Sequence, residues 1–303
     1  MPARDAKNAI VLTVLASLIW GTSFPSTKWG LQFAGNDIVF LWLRFFVATA
    51  ITLTVVLYLR RLSPSIFRNS RIWMIGGLNM AGFVLQYVAL TITTSSKTAL
   101  LVDINVVAVA IISYFVFTER LGKWQVTGIV MGTVGVLFVS LNKDFVFDEN
   151  QITGDALAYL AGWSWAFFIV LSKKLLDDHS AVEVSSAAIT TCFLWLSIPT
   201  AYVMLAGANM SMEPLAWPAA LYLGLFCTSI ATLLWALGLE GVSATSSATI
   251  MLIEVLTALA ISFTLLDERL STAALVGATL VLAAIYLVSS RSGPQDKQLV
   301  RQT

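Results

Sequence analysis

One histidine and two cysteines are all that this chain of 303 residues offers to a metal centre or a histidine-based catalyst. His179 lies in a polar stretch. Cys192 and Cys227 lie in apolar runs, without metal-ligand spacing, and read as packing residues. No HExxH motif and no phosphate-cradling loop is present, and no apolar segment carries a histidine. An aspartyl pair within the membrane would need a second buried aspartate beside Asp103, and none is evident. An enzyme is therefore not expected, and neither is a cofactor. Charge is scarce as well: 12% of residues are Asp, Glu, Lys or Arg, and the net charge is +1. A soluble domain carries about 25%, and a nucleic-acid partner would call for a basic stripe.

What fills the chain is apolar. Hydrophobic residues make up 58% of it and the mean hydropathy is +0.83. About 20 residues of helix cross a bilayer core, and ten runs are of that order: 10–33, 37–58, 72–92, 95–117, 123–142, 154–176, 182–206, 216–239, 243–266 and 271–290. They are continuous rather than alternating, so helices are expected and strands are not. Arg4 and Lys7 before the first run resemble the start of a signal peptide. That run continues to about Thr27 without a small-residue cleavage site, which reads as a retained first span. With the N-terminus placed in the cytoplasm, Arg60-Arg61, Arg68, Arg71, Arg120, Lys123 and Lys173-Lys174 all fall inside. Lys97, Lys143 and Arg269 fall outside. This bias favours ten spans with both termini cytoplasmic.

The chain also repeats itself. FVFTERLG at 115–122 returns as TLLDERLS at 264–271, so the Glu119-Arg120 and Glu268-Arg269 corners lie 149 positions apart. The same offset aligns Gly128 with Gly277 and Asn105 with Glu254. Trp20 and Lys28 share the spacing of Trp165 and Lys173. Five spans per repeat is an odd number, so the second unit enters the membrane upside down. The expected fold is an all-α integral membrane protein of ten transmembrane helices in two inverted five-helix repeats. Residues 1–142 form the first repeat, 143–153 a loop, 154–290 the second repeat and 291–303 a cytoplasmic tail. Inverted repeats of this kind scaffold secondary transporters, whose sites lie near the midplane between the halves.

Three stretches carry a resemblance: WGTSFPSTKWG (20–30), FTERLGKWQVTGIVMGTVGV (117–136) and ATIMLIEVLTALAISFTLLDERLSTAALVGATLVL (248–282). They resemble the two EamA repeats of the drug/metabolite transporter superfamily, over the whole ten-helix span. Within that superfamily the aromatic-rich helices look most like amino-acid exporters of the YddG type. The resemblance implies a 5+5 inverted fold and small-molecule transport, often export. Val106 and Val255 stand where members often carry proline, which puts local kinks there in question.

Several residues are candidates for the transport path. Glu254, mid-helix in the ninth run, could take a proton or a substrate amine, since a carboxylate at that depth must face protein or water. Asp103 and Asn105 lie in the fourth run. Asn79, Phe83, Gln86 and Tyr87 follow helical spacing in the third, giving amides beside flat rings. Trp20, Tyr159 and Trp163 are expected at a central space, and Pro25 with Gly21 could bend the first helix. Lys28 and Arg44 need partners or water, and an acidic partner is the expectation for Arg44. Gly128, Gly132 and Gly135 form a stripe for close helix packing. The expected function is export of small amphipathic metabolites, aromatic and other neutral amino acids first, by alternating access. Drugs, nucleosides or other metabolites are the alternative cargo. The expected partners are a small-molecule substrate and a bilayer, with a bacterial inner membrane the expected location and no expectation for oligomeric state.

Overall fold

The computed structural model describes residues 6–117, 123–139, 141, 149, 151–242, 244, 247 and 250–290. The Glu119-Arg120 corner, most of the 143–153 loop and the 291–303 tail lie outside them. The described chain is helical throughout: α1 (Ala6–Leu31), α2 (Asp37–Tyr58), a short 3-10 turn (Pro64–Arg68), α3 (Ser70–Ile92), α4 (Ser95–Val102), α5 (Asn105–Phe117), α6 (Lys123–Val139), α7 (Ile152–Leu175), α8 (Ala181–Leu205), α9 (Ala216–Tyr222), a π-helical segment (Leu223–Ile230), α10 (Ala231–Gly241), α11 (Leu252–Leu265) and α12 (Thr272–Ser290). Seven stretches are long and apolar enough to cross a membrane. Val126–Val139, Ile253–Leu265 and Thr272–Ala284 are shorter apolar helices beside them.

Local chemistry sets the helix ends. Asn36 Oδ1 accepts from the amides of Ile38 and Val39 and starts α2. Ser180 and Glu183 form a reciprocal capping box at α8. The start of α4 is capped from a distance. Glu268 Oε1 accepts from the amide and hydroxyl of Ser95, both at 2.9 Å, and its Oε2 accepts from those of Ser96 at 2.9 and 2.7 Å. Since Glu268 follows α11, the end of α11 meets the beginning of α4, and these two helices run in opposite directions.

Three intramembrane lysines are held by the ends or flanks of helices. Lys28 donates to the carbonyls of Leu90 and Thr93, where α3 ends. Lys173 donates to those of Leu239 and Val242, where α10 ends. Lys97 pairs with Asp155 at 3.5 Å, both buried. Each cation thus meets carbonyl dipoles or a carboxylate in place of lipid.

Two features place the centre of the molecule. The span that joins α4 to α5 is 94% buried, against 33–56% for the other six long spans, so it is wrapped by protein on all sides. It breaks at Asp103–Ile104 although Val106 replaces the usual proline. At Gly21, α1 crosses α11 so closely that a Cβ would lie 2.5 Å from Thr257 Cβ and 2.6 Å from the Glu254 carbonyl oxygen. The missing side chain is what permits this approach, while α1 runs on through Pro25 without interruption. Away from this centre, α6 and α12 touch backbone to backbone, where a Cβ on Gly277 would meet Gly135 O at 2.6 Å.

Candidate functional site

The broken span, α1, α2, α3, α7, the π segment with α10, and α11 together enclose a cavity of about 660 Å³, its mouth included. Its apolar wall is aromatic. Trp235 stacks on Phe168 at 5.4 Å and lies 6.0 Å from Trp20, and Trp165 meets Phe83 edge-on at 5.2 Å. Trp20 is held by its indole N–H, which donates to the Cys227 carbonyl at 2.7 Å. Trp235 Nε1 donates to Ser247 Oγ at 3.1 Å, and Trp165 Nε1 to Asn79 Oδ1 at 3.3 Å. The rings are therefore fixed plates rather than free rotors.

The polar part of the wall is incompletely bonded. Among the described residues, eight buried side-chain polar atoms have no partner, and five of them belong to cavity residues: Arg44 Nη2, Gln86 Oε1, Asp103 Oδ2, Asn105 Oδ1 and Glu254 Oε2. Leaving one such group unpaired costs about 1–3 kcal/mol, more when it is charged. Native interiors rarely keep several together unless a ligand or water meets them. Among the described residues, Asp103 receives a single long side-chain bond, from Asn105 Nδ2 at 3.4 Å. Asp103 and Arg44 share the cavity wall with Glu254.

The helices distribute the sequence candidates unevenly. Trp20, Asn79, Phe83, Gln86, Asp103, Asn105 and Glu254 line the cavity. Tyr87 does not; it sits behind the wall, fully buried, and its hydroxyl accepts from Arg44 Nη1 at 3.3 Å. Tyr159 and Trp163 contact each other with centroids 6.5 Å apart but stand off the lining. Tyr159 packs instead beside Ile104, Val107 and Ala110. Helix α7 turns Trp165, Phe168 and Ile169 to the cavity. Lys28 and Pro25 are likewise outside it, Lys28 being engaged at the end of α3.

Arg44 was expected to meet an acidic group. It is fully buried, lines the cavity, and makes no ion pair among the described residues. Its Nε donates to Thr228 Oγ1 at 2.8 Å, and its Cζ lies 4.6 Å above the Phe83 ring. A second signal was also available in the sequence. SSKTALLVD (95–103) and SSATIMLIE (246–254) match locally 151 apart, which pairs Glu254 with Asp103 rather than with Asn105.

The EamA-like transporter family matches residues 7–141 and 152–290. An uncharacterized transporter of Archaeoglobus fulgidus is 27% identical over 288 residues, covering 93% of this chain and 97% of its own. A probable amino-acid metabolite efflux pump of Escherichia coli is 25% identical over 289 residues, covering 91% and 93%. One solved crystal structure shares the fold, with a TM-score of 0.68 at 17% identity over 94% of this chain and 98% of that one. With both long matches spanning nearly all of its helices, the chain belongs to the EamA-like transporter family of the drug/metabolite transporter superfamily.

Proposed function

We propose that this transporter exports small amphipathic metabolites, aromatic and other neutral amino acids first, through the central cavity by alternating access. The observation that carries the reading is the cluster of five unpartnered polar atoms set among fixed aromatic plates. Such a wall suits a solute with a flat apolar body and a polar head, because each surface then finds its like. The probable amino-acid metabolite efflux pumps among the relatives point the same way.

In this reading ten spans form two inverted repeats, with both termini in the cytoplasm of a bacterial cell. The two family matches, 7–141 and 152–290, support two units. The equivalent uses of Lys28 and Lys173, each closing a helix end, support their correspondence. Opening alternates as one unit rocks against the other, and Glu254, lodged in the wall, couples that motion to a proton. Purified protein in proteoliposomes tests this with the twenty amino acids, nucleosides and cationic dyes as cargo. Flux of aromatic and neutral amino acids is expected. Flux of only nucleosides or dyes would replace the substrate class. A Glu254→Gln protein that moves amino acids normally at every pH would remove Glu254 from coupling.

A further inference from the structure

Three lysines of the described apolar spans are engaged by carbonyls or a carboxylate: Lys28, Lys97 and Lys173. Arg44 differs. Two of its nitrogens are tied, Nε to Thr228 and Nη1 to Tyr87, and the face of its guanidinium rests over Phe83. These contacts come from two separate elements, α3 and the π segment, so the plane of the fork is set before any ligand arrives. Its third nitrogen, Nη2, with two N–H groups, has no partner and is fully buried. A charged donor fixed in this way at a cavity wall is a site for a planar anion.

The opposite charges narrow the anion. Asp103 and Glu254 line the same cavity, each with a carboxyl oxygen unpartnered. A phosphate would bring up to two negative charges to a single cation and face two carboxyl groups. A free monocarboxylate would leave those groups unmet. A molecule bearing a carboxylate and an ammonium on one carbon satisfies both sides, and its side chain then falls among Trp20, Trp165, Phe168 and Trp235.

We propose that Arg44 is the carboxylate anchor of the transport site, and that the site selects zwitterions by holding the carboxylate on Arg44 Nη2 and the ammonium against Asp103 and Glu254. This rests on the amino-acid reading above and adds a residue and a selection rule to it. A guanidinium bonded this way discriminates strongly, because a solute lacking the carboxylate leaves a buried charge unpaired.

The test measures flux in proteoliposomes for tryptophan against tryptamine and for phenylalanine against phenethylamine, in pairs that differ only by the carboxylate. Wild-type protein is expected to prefer each amino acid by about 100-fold. Arg44→Gln should lower amino-acid flux by a similar factor and bring the ratio close to one. Arg44→Lys, which keeps the charge and loses the fork, should fall between. An Arg44→Gln protein that melts normally and keeps the wild-type ratio would overturn the proposal. If that variant does not fold, wild-type protein still decides, since equal flux of tryptamine and tryptophan overturns the anchor. Should wild-type protein carry other carboxylates in an Arg44-dependent way but no amino acid, the anchor stands and the amino-acid reading falls. Flux of carboxylate-free solutes alone overturns both.

Discussion

Asp103 and Glu254 close two stretches that read almost alike, yet their settings differ. Asp103 sits at a break in a span buried on all sides, with Asn105 as its neighbour and with Glu268 fastening the start of α4 eight residues earlier. Glu254 stands near the start of α11, which turns Leu256 and Leu265 outward, 53% and 77% exposed. No side chain bonds its Oε2, and α1 presses on its backbone at Gly21. Similar local sequence therefore supplies one acid anchored deep in the protein and another on a helix that also faces the surroundings. The difference predicts that the two acids are unequal in function.

The largest expected effect comes from exchanging them one at a time. Glu254→Gln should lower amino-acid flux at least tenfold and flatten its pH dependence. Asp103→Asn, softened by Asn105, should lower flux about threefold, with fold-changes of this size worth roughly 0.7–1.4 kcal/mol. The reverse order in the same liposome assay would break the comparison. Next is Gly21→Ala, which forces α1 away from α11 on the Glu254 side. A loss of about 1–3 kcal/mol is expected from such overpacking, seen as a lower melting temperature together with reduced flux. On the Asp103 side, Glu268→Ala removes the four bonds that begin α4. Stability should fall by about 2 kcal/mol, while the ranking of substrates by KM should stay as in wild type. The smallest effect is expected at Tyr159→Phe, which lies outside the lining beside α5. Its KM should stay within about twofold of wild type, since surface and near-surface changes away from special features are worth about 0.5 kcal/mol or less.

Much of the helical frame was legible because membrane helices are written as long apolar runs. The run at 37–58 coincides with α2, and 216–239 lies within a single described stretch ending at Gly241. The interruptions were not legible. Nothing in Asp103–Ile104 forbids a helix, and neither residue is a proline or glycine that would have marked the break in the sequence. The π segment is similar. Its visible trace is hydroxyl groups reaching back five residues, Thr228 to Leu223 O and Ser229 to Gly224 O, a contact that only the folded helix reveals.

The candidate site was readable where a helix has one polar face. Asn79, Phe83 and Gln86 stand four and three apart on an otherwise apolar helix, and they share the cavity. Helix α7 offers rings at 159, 163, 165, 167 and 168, more than one face can hold. Its phase was therefore ambiguous, and Trp165 and Phe168 took the inward positions. Arg44 was visible as a costly charge, but its lack of an acidic partner depends on residues from α3 and the π segment that no local pattern links to it.

The backbone contact between Gly135 and Gly277 has a consequence for motion. Where Gly135 and Gly277 meet, no side chains lie between α6 and α12, so a rocking of one unit against the other would have to turn about this crossing rather than slide along it. Neither contributes to the cavity wall among the described residues. In the proposed rocking they would act as a keel beside the chamber, and substitutions along them should be read in melting curves rather than in cargo choice.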